Sequence, residues 1–163
     1  MASLRRSLVA TVLFTLFGGP GILLVLLPWW MTRWRVVPGW NETAGWVLIA
    51  TGLFPLIESI GRFVIVGRGS LLPTVPTEHL VVSGLYRYVR NPMYVGVGLI
   101  LAGETLLFWS RNLLIELTVA AALMDIFVRI YEEPKLLSTF REEYRRYQRH
   151  VGRWVPRMAP WKG

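Results

Sequence analysis

The sequence predicts an all-α integral membrane helical bundle with about four transmembrane helices, a cytoplasmic connecting loop and a C-terminal amphipathic helix. Three observations predict it. Hydrophobic residues make up 53% of the 163-residue chain, above the roughly 45–50% usual in soluble domains, and they fall in long runs. Eight tryptophans are present, a residue suited to membrane–water boundaries because its ring is apolar and its N–H is wet. The 18 Lys and Arg residues sit mostly between or after the apolar runs.

The length fits one domain, 1–163, with no room for a separate soluble module. The net charge of +8 raises nucleic acid as a partner. The basic residues are placed to set topology and meet anionic lipid instead, so nucleic acid is set aside. Cysteine is absent, which excludes disulfides, thiolate metal sites and a Cys nucleophile.

The first span covers about 7–30, behind Arg5 and Arg6. It ends in Leu27-Pro28-Trp29-Trp30 with no small-residue cleavage pattern, so it reads as a retained helix rather than a signal peptide. A bend is expected at Gly18-Gly19-Pro20-Gly21, where an N–H is missing. The second span covers 43–66, the third 93–109 and the fourth 113–131. A helix needs about 20 residues to cross a bilayer core, so the third is the shortest. Three crossings plus a tucked-in hairpin is the rival count.

Charge orients the bundle. With the N-terminus inside, the inner segments carry Arg5 and Arg6, then Arg68, Arg87 and Arg90, then eight Lys or Arg after Tyr131. The outer loops carry Arg33, Arg35 and Arg111. The positive-inside rule then puts both termini and the connection 67–92 in the cytoplasm.

Pro134 is expected to break or bend the chain after span four. An amphipathic helix over about 134–151 follows, with Leu136, Leu137, Phe140, Tyr144, Tyr147 and Val151 on one face and arginines around the rest. It can lie in the interface or pack on the spans. Trp154, Pro156, Pro160 and Trp161 form a non-helical anchor.

Charges inside spans need partners. Glu58 and Arg62 are four residues apart, as are Asp125 and Arg129, so each can close an ion pair on one helix face. They either neutralise each other for insertion or line a polar cavity. Glu104 has apolar Ile100 and Phe108 four residues away and is expected near the outer interface.

Two stretches carry chemistry. The first runs from Ser83 to Gly96 and contains Arg90-Asn91-Pro92-Met93-Tyr94. Asn91 is expected to cap the helix that Pro92 opens, leaving N–H groups beside Arg90 as a seat for a carboxylate or phosphate. The second is Tyr131-Glu132-Glu133-Pro134, at the exit of span four. Two carboxylates opposite an arginine and a helix N-terminus suit a zwitterion. No metal is implied, since His79 and His150 have no ligand pattern.

Arg90-Asn91-Pro92-Met93-Tyr94-Val95-Gly96, the Tyr131-Glu132-Glu133-Pro134 stretch about forty residues later, and a basic tail with Tyr144 and Tyr147 together resemble the membrane methyltransferase superfamily. That superfamily includes phosphatidylethanolamine (phospholipid) N-methyltransferase and isoprenylcysteine carboxyl methyltransferase. The resemblance covers roughly residues 44–157. Asn91 stands where the carboxyl-methylating branch has His, Ala50 where the phospholipid branch has the first Gly of a Gly-x-Gly, and Arg141 where the tail motif has Gly.

The resemblance implies S-adenosylmethionine as cofactor and a lipophilic, membrane-embedded acceptor, either an isoprenylcysteine-type carboxylate or a phospholipid-type amine. It implies a cofactor cavity built from Gly52, Tyr86, Arg90, Asn91, Pro92, Tyr94, Glu132 and Glu133. Glu132 or Glu133 would hold the cofactor's ammonium, and Arg90 or the helix N-terminus its carboxylate. Glu132 and Arg90 are the expected catalytic residues, with one glutamate available as a base for an amine. Tyr86, Tyr88 or Tyr94 would flank the adenine or the sulfonium. Two rivals remain: a nicotinamide-dependent sterol-type reductase, and a non-catalytic membrane protein that keeps the fold.

Overall fold

The computed structural model describes residues 19–65 and 79–162. Residues 7–18 of the first predicted span, the connection 66–78, and Arg5, Arg6 and Arg68 lie outside the described residues.

The regular elements among the described residues are all helical, with no strand. Helix α1 begins as an α-turn at Gly19–Gly21, widens to a π-helix at Ile22–Leu26 and returns to α-helix at Leu27–Thr32. Pro20 has no N–H for the regular ladder, and the wider turn after it is how the expected bend is accommodated. Helix α2 is Trp40–Ile65, helix α3 is Pro92–Leu107 and helix α4 is Arg111–Phe127. Helices are thus found at the second, third and fourth apolar runs, with bounds within a few residues of those expected.

By length and composition, one described helix holds a stretch able to cross a membrane, Trp40–Arg62 in α2. Helix α3, at 16 residues, extends only about 24 Å at 1.5 Å per residue.

Helices α2 and α3 run antiparallel in backbone contact. A Cβ on Gly45 would lie 2.8 Å from the Gly103 carbonyl oxygen, and one on Gly52 would lie 2.6 Å from that of Gly96. The reverse approaches are 2.6 and 2.7 Å. Two glycines seven residues apart on each helix therefore face two on the other, which lets the backbones meet. Leu56, Val97, Ile100, Leu101 and Ala120 fill the core beside this seam.

Aromatic residues gather at the end of the bundle where α1 and α3 finish. Trp40 meets Trp109 edge to face at 6.0 Å, and the Arg33 guanidinium lies 4.5 Å over Trp29. Buried Asn41 donates to the carbonyls of Val37 and Leu106 at 2.9 and 3.1 Å, pinning α2 to α3. Near this end Glu104 is buried, close enough to equally buried Glu116 to interact, so α4 supplies the partner that its own helix lacks.

The expected break at Pro134 does not occur. A π-helix, Val128–Glu132, joins α4 directly to helix α5, Glu133–His150, and Pro134 follows this wide turn, which displaces the ladder just upstream of its missing N–H. The bend falls instead at Arg141, with φ 44° and ψ −115°, dividing α5 into 133–140 and 142–150. This lets the amphipathic helix pack inward: Tyr144, Tyr147 and Val151 are buried with Leu80, Val82, Leu137, Phe140 and Trp161 around them.

Candidate functional site

The first predicted stretch folds as an extended segment, a 3₁₀ turn at Gly84–Arg87, and a short bridge into α3. Gly84 has φ +59°, and a Cβ there would strike the Glu58 carboxylate and the Arg62 guanidinium. The turn can lie against the Glu58–Arg62 ion pair, closed at 2.7 Å, only because residue 84 has no side chain. Of the two readings of this pair, it is a structural brace for the turn: Glu58 and Arg62 are not among the residues lining the cleft described below.

The C-terminal segment straps this turn from the other side. The Arg90 N–H donates to the Gly152 carbonyl at 2.8 Å, Arg157 N–H to Tyr88 at 2.9 Å, and Trp161 N–H to Arg87 at 2.9 Å. Arg87 Nε returns a 2.6 Å bond to the Trp161 carbonyl. The Tyr147 hydroxyl donates to the Tyr86 carbonyl at 2.6 Å. Residues 151–162 thus act as a clasp on the site rather than only an anchor.

Between these parts lies a narrow cleft walled by Tyr86, Arg90, Asn91, Tyr94, Glu132, Glu133, Tyr144 and Tyr147 with apolar neighbours. Six of the eight predicted site residues are in that wall. Pro92 is buried beneath it as the first residue of α3. Gly52 is not in the wall, because its bare backbone is used in the seam against Gly96. Asn91 does not cap α3 with its side chain. Its amide instead donates to the Arg153 carbonyl at 3.2 Å, tying the clasp to the helix start.

The two glutamates have different surroundings. Glu133 is saturated: Arg153 Nε and Nη2 donate to its two oxygens at 2.7 Å each, Gln148 approaches at 3.4 Å, and Arg90 Nη1 lies 3.0 Å away. Glu132 lies against the Tyr94 hydroxyl, and its Oε2 is buried with no hydrogen-bond partner among the described residues. Burial raises the Glu132 pKa above the ordinary carboxylate value, and the negative Glu133 beside it adds to the rise, while Tyr94 opposes it. Arg90 is in a related position. Its Nε and Nη1 are buried without an aligned acceptor among the described residues, although Nη1 is close to Glu133.

One cleft therefore presents a carboxylate with one unpaired oxygen, Glu132, and a guanidinium paired with Glu133 through Nη1 but with Nε left without an acceptor among the described residues. Buried polar groups of this kind are costly unless something pairs with them. Tyr86 and Tyr147 stay neutral beside them, since burial pushes both hydroxyls far above their usual pKa.

Sequence reasoning had not singled out Arg153 or Gln148, and it read Trp154 only as part of the terminal anchor. The Trp154 indole donates to Asp125 Oδ1 at 2.8 Å and meets Tyr94 edge-on at 6.4 Å. Asp125 keeps its 2.7 Å pairing with Arg129 as well. These contacts join residues 15 to 60 positions apart, so no local spacing marks them.

Residues 40–143 match the phospholipid methyltransferase family. Among characterised proteins, methanethiol S-methyltransferase of Pseudomonas deceptionensis is 31% identical over 128 residues, covering 74% of this chain and 43% of that protein. Methanethiol S-methyltransferase 1 of Bradyrhizobium diazoefficiens is 32% identical over 123 residues, covering 69% and 39%. The chain thus spans about two fifths of the length of these relatives. No solved structure matches it.

Proposed function

The chain belongs to the phospholipid methyltransferase family, and on that premise we propose that it transfers the methyl group of S-adenosylmethionine to a lipophilic, membrane-embedded acceptor. The observation that carries the cofactor reading is the presence in one cleft of a Glu132 oxygen without a hydrogen-bond partner and an Arg90 Nε without an acceptor among the described residues. Arg90 Nε would take the cofactor's carboxylate while Nη1 stays with Glu133, and Glu132 Oε2 would take its ammonium. The residues present fit an amino-acid zwitterion, with charge-assisted bonds on both sides. Glu133 would not touch it. Its role is to hold Arg90 and Arg153 in place.

When bound, the cofactor supplies a methyl carbon already activated on a sulfonium. The protein's part is then alignment, with water kept away from the charged groups by the walls of Tyr86, Tyr144 and Tyr147. Tyr94 would present its ring to the sulfonium while its hydroxyl keeps Glu132 oriented.

With Glu133 saturated and Glu132 serving the ammonium, no further carboxylate in the cleft wall is available to deprotonate an amine. An acceptor that supplies its own anion, a thiolate or a carboxylate, suits this cleft better. The two relatives are named for a thiol acceptor, so a thiol with an apolar substituent is the first acceptor to try.

Membrane embedding is part of the same proposal. Ile115, Val119, Leu123, Ile126 and Ile130 form an exposed apolar stripe along α4 and the π-turn, and Trp46, Phe54 and Ile57 do so on α2. Surfaces of that extent need an apolar solvent. The bundle would cross the bilayer several times as one domain, with the Trp-rich end outside and the cleft and both termini in the cytoplasm.

The test is calorimetric titration of the detergent-purified protein with S-adenosylmethionine, S-adenosylhomocysteine and NADPH. Binding of both adenosyl compounds without NADPH is the expected result. NADPH binding alone would transfer the site to a reductase, and no binding of any of the three would leave the fold without this chemistry.

A further inference from the structure

A second space adjoins the cleft. Between α3 and α4 lies an almost wholly apolar cavity of about 250 Å³, lined by Tyr94, Gly98, Leu101, Leu117, Met124 and Trp154. Three features give it direction. Tyr94 borders both this cavity and the cleft, so the two spaces share one wall. The polar groups of its lining, Asp125 and the Trp154 indole, bond each other at 2.8 Å, and the Trp154 ring meets Tyr94 at that shared end. From Tyr94 the lining then runs seven residues along α3 to Leu101, about 10 Å at the helical rise.

Gly98 marks the cavity's side. A Cβ there would meet nothing within 4 Å, whereas one on Gly96, two residues back and on the opposite face of the helix, would press on Gly52 and Leu56. The two glycines therefore do different work: Gly96 lets helices touch, and Gly98 leaves room. Trp154, which closes the polar end, lies beyond the residues 40–143 that match the family.

We propose that this cavity is the acceptor's apolar subsite, with the nucleophile held at Tyr94 and Trp154 and an alkyl or alkenyl chain extending toward Leu101 and Leu117. A 150 Å³ apolar cavity holds a benzene ring, so about six to ten carbons fit this one. The space exceeds what a one-carbon acceptor needs, and its lining offers a chain only dispersion and burial. The inference rests on the methyltransferase reading and names the substrate class for it.

The experiment is photolabelling of the full-length protein in detergent with an eight-carbon thiol bearing a terminal diazirine, mapped by mass spectrometry. S-adenosylhomocysteine affinity is measured on the same samples. Labels are expected on 98–101 and 117–124, reduced at least tenfold by excess octanethiol. Gly98→Leu, which fills the cavity, should lose them at least tenfold while keeping S-adenosylhomocysteine affinity within twofold; Gly98→Ala should show a smaller loss. Labelling elsewhere, or equal labelling in Gly98→Leu, overturns the subsite. Stronger labelling of the same residues by a diazirine phospholipid tail would assign the cavity to bilayer lipid and overturn it too. Failure of S-adenosylhomocysteine to bind the unaltered protein overturns the methyltransferase reading itself, independently of where the thiol goes.

Discussion

Arg153 grips Glu133 with two parallel hydrogen bonds of 2.7 Å, from Nε to Oε1 and from Nη2 to Oε2, across twenty residues of chain. That clamp separates two neighbouring glutamates by role. Glu133 is committed to the protein, and Glu132 is left with an oxygen facing the cleft.

The separation predicts opposite phenotypes for two conservative changes. Glu132→Gln should weaken S-adenosylhomocysteine binding by roughly 10- to 100-fold, the loss of one charged hydrogen bond, without lowering the unfolding temperature. Glu133→Gln should lower the unfolding temperature, because breaking a buried pair on one side costs about 3 kcal/mol and leaves Arg153 and Arg90 uncompensated. Calorimetry and thermal unfolding in detergent check both. Equal binding loss with no stability difference between them would remove the division of labour.

Arg153 itself should act on the cofactor without touching it. In Arg153→Ala, the freed Glu133 carboxylate would tighten on Arg90, 3.0 Å away, and withdraw it from the cofactor's carboxylate. A fall of about tenfold in S-adenosylhomocysteine affinity is expected, in line with about 1.5 kcal/mol for a charged hydrogen bond. Arg153→Lys restores the charge but not the two-pronged geometry and should recover only part of it. Full affinity in Arg153→Ala would show that Arg90 does not depend on the clamp.

The same carboxylate sets a pH dependence. Burial raises the Glu132 pKa, so its ionised form is lost at a higher pH than for an exposed glutamate. Because ammonium binding needs the anion, S-adenosylhomocysteine affinity should fall as pH is lowered through that raised pKa. Stability runs the other way. A raised carboxylate is a penalty that appears as pH climbs past the ordinary value near 4.5 and is complete above the folded value. Glu132→Gln should therefore gain stability over wild type at pH 8 and not at pH 4, and its affinity should lose the pH step. A step unchanged in Glu132→Gln would assign it to another group.

Gly52 tests the line between site and scaffold. Its place is against Gly96, with backbone contact that a methyl group would break. Gly52→Ala should destabilise by about 1–3 kcal/mol through overpacking. The protein that remains folded should bind S-adenosylhomocysteine with unchanged affinity. A specific loss of affinity without loss of stability would put Gly52 in the cofactor cavity after all.

What the sequence made legible follows from the range of each interaction. The helices at the apolar runs, the Pro92 helix start and the i,i+4 pairs of Glu58 with Arg62 and Asp125 with Arg129 are short-range patterns, and each is present in the structure. The cleft's composition was legible because two motifs concentrate its residues. Gly52 looked like a cofactor residue because a bare backbone suits close approach, whether to a ligand or to another helix, and spacing alone does not say which. Pro134 looked like a breaker because a π-turn upstream has no sequence signature. Glu104 lacked a partner on its own helix, and nothing local points to Glu116 across the bundle. Arg153 and Trp154 were hidden for the same reason: their partners are 20 and 29 residues away.

The absence of cysteine makes the proposed topology directly measurable. Asn112, at the start of α4, and Ser138, on α5, are both exposed, so a single cysteine at either should leave the fold intact. The Lys and Arg distribution and the cleft's need for a cytosolic cofactor both put Ser138 inside and Asn112 outside. In intact cells or spheroplasts, a membrane-impermeant maleimide should label Asn112→Cys and spare Ser138→Cys. After lysis it should label both. Labelling of Ser138→Cys before lysis would turn the bundle over. It would place the Arg90–Glu132 cleft away from the cytoplasmic supply of S-adenosylmethionine, and the proposed reaction would fail with the topology.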